Sequence, residues 1–266
     1  MKYKLLAIDL DDSLLGADHK ISEENKLAIK RAEDKGVIVT IATGRPLESC
    51  LPYVKELDLD VPFITFNGGM IIRGKSMDIL YHKTIEPEYG LNILELTREY
   101  KPTVLVFMDN KLYVNELNER TERYTRLSTM DANLKKDINS VVMEGPTKIL
   151  LYNEPEKVKK MEEKIKENMD GRVNFHISKP FFLEFINRSV SKGNALRAIA
   201  EGMGIASHEV IAIGDSFNDI SMIEYAGLGV AVDNAYEQVK SKADYISKSH
   251  IDNGVAEVIE KFILEG

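Results

Sequence analysis

Apolar residues occur along this chain in short continuous runs, and several of these runs end abruptly in polar side chains. The first run spans residues 5–8 and is followed by carboxylates at Asp9, Asp11 and Asp12. A continuous apolar run of this length predicts a strand buried on both faces, as in parallel sheets covered by helices. Ligand sites in such sheets lie outside the carboxyl ends of the strands. Asp9 and Asp11 are therefore candidate site residues, although an acidic turn after a strand would give the same pattern.

Helical and strand-like segments alternate on both sides of a central region. In the N-terminal part the pattern predicts helices from Ser22 to about residue 35 and from Pro46 to about residue 57, strands over residues 37–42 and 61–66, and a hairpin over residues 70–82. In the C-terminal part it predicts helices over residues 192–203, 218–225 and 236–242 and from Asn253, and strands over residues 209–213, 229–232 and 245–246. This alternation indicates right-handed crossovers and a parallel sheet, the organisation of an α/β fold.

The central region does not show this regular alternation of helices and strands. Predicted helices over residues 88–100 and 156–169 mix with predicted strands over residues 104–108, 111–114, 148–152 and 181–186, at both hairpin-like and helical spacings. Such a mixture is typical of an α+β unit. We therefore predict a first domain formed by residues 1–84 and 188–266, with an α+β cap of residues 85–187 inserted into it.

The composition restricts the classes of protein that fit. The 266 residues are 44% hydrophobic and 29% charged, which predicts a folded globular protein rather than a disordered chain. The net charge is -8 and the basic residues are scattered, so neither nucleic acid nor a membrane surface is an expected partner. A single cysteine, Cys50, excludes an internal disulfide framework, and no apolar run reaches membrane-spanning length. We expect a cytoplasmic protein, either a monomer or a small homo-oligomer.

Three further loops place polar residues at the end of a predicted strand or at the start of a predicted helix. Each has a plain structural interpretation, namely a glycine turn, a solvated lysine or turn chemistry after a strand. Together they would place a hydroxyl, backbone N–H groups, a cation and carboxylates at one edge of the sheet. Such a set suits a hard cation such as Mg²⁺ beside a phosphate group. The loops are Thr43-Gly44-Arg45, Ser191-Lys192-Gly193 and Gly214-Asp215-Ser216-Phe217-Asn218-Asp219.

In order and spacing, the four loops together resemble the motifs of haloacid dehalogenase superfamily phosphatases, specifically the Cof-type hydrolases with a large α+β cap. The agreement extends over essentially the whole chain. Two positions depart from the usual pattern, with Asp12 in place of glycine and Ser13 in place of threonine, so Asp12 has to adopt a loop geometry that glycine reaches more easily. The segments that carry the resemblance are, in motif order, Asp9-Leu10-Asp11-Asp12-Ser13, Thr43-Gly44-Arg45, Lys192 and Gly214-Asp215-Ser216-Phe217-Asn218-Asp219.

The resemblance implies a Rossmann-like parallel sheet core with an inserted cap, and a Mg²⁺-dependent phosphatase of small phosphorylated metabolites, with sugar phosphates favoured. Asp9 would attack phosphorus and form an aspartyl-phosphate, and Asp11 would act as general acid and base. Mg²⁺ would be bound by the Asp9 carboxylate, the Asp11 backbone carbonyl and Asp215, with Asp219 supporting the metal shell. Closure of the cap would contribute the contacts that select the leaving group. The residues expected to hold the phosphoryl oxygens are Thr43, Gly44, Lys192 and Asn218.

Some residues leave their roles open. Asn67-Gly68-Gly69 ends the third predicted strand and could contact the substrate or the cap, or form a plain hairpin entry. Lys148 and Glu184 lie in predicted cap strands, and nothing in their sequence neighbourhood distinguishes them from ordinary surface residues. The five histidines show no ligand spacing, so a zinc site is not expected.

Other functions fit the same residues to different degrees. The acidic loop after the first strand begins like an EF-hand loop, but Leu14 and Lys20 stand where that loop needs glycine and glutamate. A receiver module would need its phosphoacceptor aspartate after the third strand, where the chain has Thr65-Phe66-Asn67, and it has no use for the insertion. A phosphomutase and a non-catalytic sugar-phosphate sensor on the same fold stay open as alternatives, and the accumulation of free phosphate is the test that separates them from a phosphatase.

Overall fold

A computed structural model describes residues 2–169 and 171–266 of the chain. The chain divides into two compact units. The first comprises Met1–Gly44, Cys50–Tyr81 and Ser191–Gly266, and the second comprises Arg45–Ser49 and His82–Val190. Among the described residues, no helix combines the length and the apolar character needed to cross a membrane.

Strands and α-helices are numbered separately in chain order. The strands are β1 (Leu5–Ile8), β2 (Ile38–Ile41), β3 (Pro62–Thr65), β4 (Met70–Arg73), β5 (Ile79–His82), β6 (Thr103–Met108), β7 (Lys111–Val114), β8 (Ala132–Leu134), β9 (Lys148–Tyr152), β10 (Val173–Lys179), β11 (Phe182–Asn187), β12 (Val210–Gly214), β13 (Leu228–Val232) and β14 (Tyr245–Ser247). The helices are α1 (Glu23–Asp34), α2 (Leu47–Glu56), α3 (Pro87–Thr97), α4 (Glu119–Ser128), α5 (Ile138–Val142), α6 (Pro155–Met169), α7 (Lys192–Gly202), α8 (Ile220–Tyr225), α9 (Glu237–Lys240) and α10 (Gly254–Ile259).

A five-stranded sheet forms the centre of the first unit, in the order β14-β13-β12-β1-β2. Each strand in it runs parallel to its neighbours. Leu5 lies opposite Ile38 on one side and Val210 on the other, and every residue of β1 is buried. This architecture confirms the predicted α/β fold with a parallel sheet core. It also places Asp9, the first residue after β1, in a buried position at the carboxyl edge of the sheet.

A second sheet of the first unit has the order β3-β4-β5. Ala42, just after β2, forms a single parallel bridge with Ile64 of β3. The sequence predicted the hairpin over residues 70–82 correctly, but β3 is not a full strand of the parallel sheet. It pairs antiparallel with β4 instead, because a tight turn over Phe66–Gly68 reverses the chain directly after β3.

Serine caps fix the starts of two helices in the first unit. The Ser22 hydroxyl accepts the backbone N–H of Asn25 at the start of α1, and the Ser191 hydroxyl accepts that of Asn194 at the start of α7, both at 3.1 Å. These bonds satisfy N–H groups that have no partner inside the helix. The cap at Ser191 places Lys192 in the first turn of α7.

A six-stranded sheet in the order β10-β11-β9-β6-β7-β8 forms the second unit. Its pairs are antiparallel, apart from the parallel pair β7 and β8. Residues of α3, α5 and α6, including Ile93, Val141 and Met161, share a buried core with this sheet. The hydrophobic pattern did not predict α4, α5, β8 or β10. The sequence of α4 contains few apolar residues, so its helical periodicity is hidden.

Lys148 and Glu184 form a buried ion pair in this second sheet. Lys148 Nζ lies 2.6 Å from Glu184 Oε2, and the Ser178 hydroxyl donates to Glu184 Oε1 at 2.6 Å. Burial acts to raise the pKa of Glu184, but Lys148, His176 and these hydrogen bonds hold that pKa below its usual value. The sequence alone did not distinguish these two residues from surface residues, but the structure buries both of them. Pairing of β9 with β11, which no local pattern reveals, brings the two charges together.

Candidate active site

Three carboxylates converge at the carboxyl edge of the parallel sheet. Asp9 follows β1, Asp215 follows β12, and Asp219 ends the turn Phe217–Asp219. The three carboxylates each offer an oxygen within 4.8 Å of the others, and all three side chains are buried. Because β1 and β12 are adjacent parallel strands, their ends bring residues from distant parts of the sequence together.

Lys192 supplies positive charge to this carboxylate cluster. Its side chain is fully buried, and its Nζ lies 2.5 Å from Oδ1 of Asp9 and 2.5 Å from Oδ1 of Asp219. Burial acts to lower the pKa of Lys192, but the charges of Asp219 and Asp9 and the hydrogen bonds to them raise that pKa overall. The alternative interpretation of Lys192 as a solvated lysine is therefore wrong.

Asp219 holds the loop that carries Asp215. Its Oδ2 accepts the backbone N–H groups of Asp215 at 3.0 Å and of Ser216 at 2.9 Å. A side chain at Gly214 would place a Cβ 2.4 Å from the Cβ of Asp219, so the close approach of this loop requires glycine. Since Lys192 and two backbone N–H groups already bind its oxygens, Asp219 is suited to position the cluster rather than to bind a further ligand.

Two hydroxyl groups orient the carboxylate of Asp215. Ser13 donates to Oδ1 at 3.2 Å, and Ser216 donates to Oδ2 at 2.9 Å. Burial, followed by the charge of Asp219, raises the pKa of Asp215 to about 7, although the Ser216 hydrogen bond and Lys192 act in the opposite direction. Ser13 had no predicted role of its own. The signal that could have identified it is the hydroxyl that serine shares with the threonine usual at this position.

The buried cluster contains more negative than positive charge. Burial raises the pKa of Asp9 well above its usual value; Lys192 opposes this shift, and the nearby Asp219, Asp215 and Asp11 add to it. The single charge of Lys192 faces three buried carboxylates, so the donor set, composed entirely of oxygen atoms, fits a hard divalent cation that would balance the remainder. Asp9 and Asp215 are the carboxylates suited to hold this cation.

Asp11 and Asp12 lie in the turn Leu10–Leu14. Asp12 is exposed and has φ +56°. This left-handed conformation is the one expected at a position where the motif usually has glycine. The Asn234 side-chain amide donates to the backbone oxygen of Asp12 at 2.7 Å and fixes the turn. Asp11 is half-buried, and its charge contributes to the raised pKa of Asp9, so the two carboxylates are close enough to interact.

Thr43, Gly44 and Asn218 are linked through Asn67. The backbone oxygen of Thr43 accepts the N–H of Asn67 at 3.0 Å, and the Cα of Gly44 packs against the Asn67 side chain. Asn218 Nδ2 donates to Asn67 Oδ1 at 2.8 Å. All four predicted phosphate-binding residues, including Lys192, thus belong to the first unit together with the carboxylate cluster. Asn67, whose role the sequence left open, lies between two of their loops.

We expect Ser13→Ala to weaken the binding of divalent cations by about tenfold, because residues that orient a metal ligand commonly contribute 10- to 100-fold in affinity. Ser13→Thr keeps the hydroxyl and should bind like the wild type. Titration calorimetry with Mn²⁺ and with Mg²⁺ on the three proteins measures this difference. Equal affinities for wild type and Ser13→Ala would show that the bond to Asp215 does not orient a metal ligand.

Comparisons with known proteins agree over almost the full chain. A family model described as haloacid dehalogenase-like hydrolase matches residues 6–259. The 5-amino-6-(5-phospho-D-ribitylamino)uracil phosphatase YcsE of Bacillus subtilis is 33% identical over 261 residues, covering 98% of this chain and 96% of that protein. YwtE of Bacillus subtilis, which carries the same enzyme name, is 32% identical over 287 residues and covers 98% of each protein. A crystal structure of a haloacid dehalogenase-like hydrolase from Bacteroides thetaiotaomicron superimposes with a TM-score of 0.88 at 31% identity, over 98% of this chain and 99% of that one.

Proposed function

Because the chain belongs to the haloacid dehalogenase-like hydrolase family and is a phosphatase, we propose that it hydrolyses phosphate monoesters of small metabolites with Mg²⁺ as cofactor. The observation that carries this proposal is the buried contact of Lys192 Nζ with Asp9 Oδ1 at 2.5 Å, inside the cluster that also holds Asp215. Sugar phosphates are the favoured substrate class. The names of the two Bacillus subtilis relatives support a phosphorylated ribityl compound as the first candidate.

Two proton-coupled displacements account for the reaction. In the first, a carboxylate oxygen of Asp9 attacks phosphorus, the bond from phosphorus to the leaving oxygen breaks, and Asp11 transfers its proton to that oxygen. In the second, Asp11 takes a proton from water as the water attacks phosphorus, the bond to Asp9 breaks, and inorganic phosphate leaves. The ammonium group of Lys192 favours the ionised form of Asp9 that the first step requires.

The remaining groups bind and neutralise the phosphoryl group. A bound Mg²⁺, held by the carboxylates of Asp9 and Asp215 and the backbone carbonyl of Asp11, would reduce the repulsion between the nucleophile and an anionic substrate. Selection of the leaving group is assigned to the inserted α+β unit. The residues assigned to the phosphoryl oxygens, where negative charge is spread in the transition state, are Thr43, Gly44, Lys192 and Asn218.

Asp11→Asn is expected to impair turnover far more than binding. General acid–base catalysis contributes about 10²- to 10⁴-fold, so kcat should fall by that factor while inhibition by inorganic phosphate stays within a few fold of wild type. Steady-state kinetics with and without inorganic phosphate separate the two effects. If the loss appeared only as weaker binding, Asp11 would not be the acid and base.

Phosphate release from a panel of phosphate monoesters tests the proposed function. The panel contains sugar phosphates, nucleotides, cofactor phosphates and 5-amino-6-(5-phospho-D-ribitylamino)uracil, each assayed with Mg²⁺ and with chelator. We expect release that requires Mg²⁺ and differs strongly between compounds. A substrate converted to an isomer without free phosphate would indicate a phosphomutase. Binding of a compound without any conversion would indicate a sensor, and either result would contradict the proposal.

A further inference from the structure

Asn67 occupies an unusual position in the turn between β3 and β4. Its side chain is 3% exposed, and its backbone has φ +57°, a conformation that asparagine tolerates better than most residues. Its N–H donates to the backbone oxygen of Thr43 at 3.0 Å, and its Oδ1 accepts Asn218 Nδ2 at 2.8 Å. One residue therefore binds two loops that the proposed function assigns to the phosphoryl group.

The same turn also meets Gly44 and the start of α7. A Cβ added to Gly44 would lie 2.8 Å from Asn67 Oδ1, so the loop after Thr43 lies directly against the Asn67 amide. Gly68 has φ +101°, and a Cβ there would lie 2.4 Å from the backbone oxygen of Ser191. The turn thus contacts the residue that precedes Lys192, as well as the loops of Gly44 and Asn218.

We propose that Asn67 is a positioning residue that fixes the side-chain amide of Asn218 for the phosphoryl group, an inference that rests on the proposed function. An amide nitrogen carries two hydrogens, and the bond to Asn67 Oδ1 uses one of them. That bond fixes the orientation of the Asn218 amide, with its nitrogen facing Asn67. The second hydrogen of the Asn218 amide then points in a defined direction, and through it the amide nitrogen donates to a phosphoryl oxygen.

Only a side chain with a suitable acceptor on a backbone at positive φ can make this bond. Glycine at position 67 would keep the backbone conformation and remove the acceptor, whereas aspartate would keep both the acceptor and the tolerance of positive φ. Asn110 has the same φ of +57° and belongs to the second unit. Asn110→Gly is therefore a matched control for the replacement of asparagine by glycine in this conformation.

A double-mutant cycle of Asn67→Gly and Asn218→Ala tests the proposal. Each cycle member is measured by kcat, KM and thermal unfolding, and by the Kd of inorganic phosphate with Mg²⁺ present, which needs no turnover. Each single variant should lower kcat/KM about 10- to 100-fold, mainly through kcat, because the amide is positioned for the phosphoryl oxygens, over which negative charge is spread in the transition state. The double variant should lie within about twofold of Asn218→Ala, because Asn67 acts through Asn218.

Independent effects would contradict the proposal. If the losses multiply in the double variant, Asn67 acts on its own, either on the substrate or on the fold. If Asn67→Gly has wild-type kinetics and wild-type phosphate affinity, it has no positioning role. In a protein that carries Asn67→Asp, Asn218→Ala should lower kcat/KM by the same factor as in the wild type, because aspartate keeps a side-chain oxygen that accepts from Asn218. Loss of that effect would also overturn the inference, and this arm holds even if Asn67→Gly folds poorly.

The controls separate this inference from the proposed function. Asn110→Gly should retain wild-type kinetics. Mg²⁺-dependent phosphate release by the wild type is measured separately, and its result does not depend on the double-mutant cycle. If the wild type releases phosphate and the effects of the two substitutions on kcat/KM multiply, only the role of Asn67 is contradicted. A wild type that binds phosphate with full coupling but releases none contradicts only the proposed reaction.

Discussion

Asp9→Asn should abolish phosphate release while leaving the protein folded. The substitution removes the nucleophile and one candidate metal ligand but preserves volume, and loss of a catalytic nucleophile commonly costs about 10³-fold or more in kcat. Burial and neighbouring carboxylates raise the pKa of Asp9, so a neutral side chain at this position relieves repulsion in the metal-free cluster. We therefore expect the melting temperature in chelator to be equal to or above that of the wild type.

Asp12→Asn is the matched control for this prediction. Asp12 lies in the same turn, is exposed, and has φ +56°, which asparagine tolerates. It loses the same charge and should keep near-normal turnover. Near-normal turnover by Asp9→Asn would contradict the assignment of the nucleophile, and a large loss in Asp12→Asn would show that charge alone explains the effect.

Lys192→Met should reduce both activity and stability. The substitution removes a fully buried cation that contacts Asp9 and Asp219, and it leaves their carboxylates uncompensated. Breaking a buried ion pair from one side commonly costs about 3–5 kcal/mol, and loss of one transition-state donor costs about 10²- to 10³-fold in kcat. Because the folded-state pKa of Lys192 is raised, its contribution is complete below the unfolded pKa and is lost only as pH rises through the folded value. Unfolding by denaturant near pH 7.5 therefore measures the full contribution.

Lys242→Met provides the comparison. Lys242 Nζ lies 2.9 Å from Glu224 Oε1, and both side chains are about half exposed, so removal of this cation should change the stability far less than removal of Lys192. Addition of Mg²⁺ should raise the stability of Lys192→Met more than that of the wild type, because in the variant a divalent cation replaces the missing positive charge. Equal, small losses for both lysine variants would show that Lys192 does not balance the cluster.

The sequence predicted the parallel sheet and the positions of its polar loops because both depend on local pattern. The apolar residues of β1 and the carboxylates that follow it are adjacent in the chain, so one segment identifies both a buried strand and the residues at its end. The placement of Lys192 in the first turn of a helix was also readable, since Ser191 marks the cap. Its contact with Asp9, 183 residues away, required the topology of the parallel sheet.

Contacts that depend on register between distant segments could not be predicted. Asn67 has the residue type of a plain turn, and its bond to Asn218 spans 151 residues. Lys148 and Glu184 look like surface charges until β9 and β11 are paired. In each case the side chain alone is ambiguous, because burial and partner come from the tertiary structure rather than from the neighbouring sequence.

Chemical trapping of the aspartyl-phosphate tests whether Asp9 is the nucleophile. The protein is mixed with its best substrate and Mg²⁺, quenched, and treated with borohydride, which reduces an acyl phosphate to an alcohol. Peptide mapping by mass spectrometry then locates the reduced residue. We expect the reduced residue to be Asp9 when substrate and Mg²⁺ are present, and no reduced residue when chelator is present. Phosphate release without any reduced residue, or reduction at a different carboxylate, would contradict this assignment.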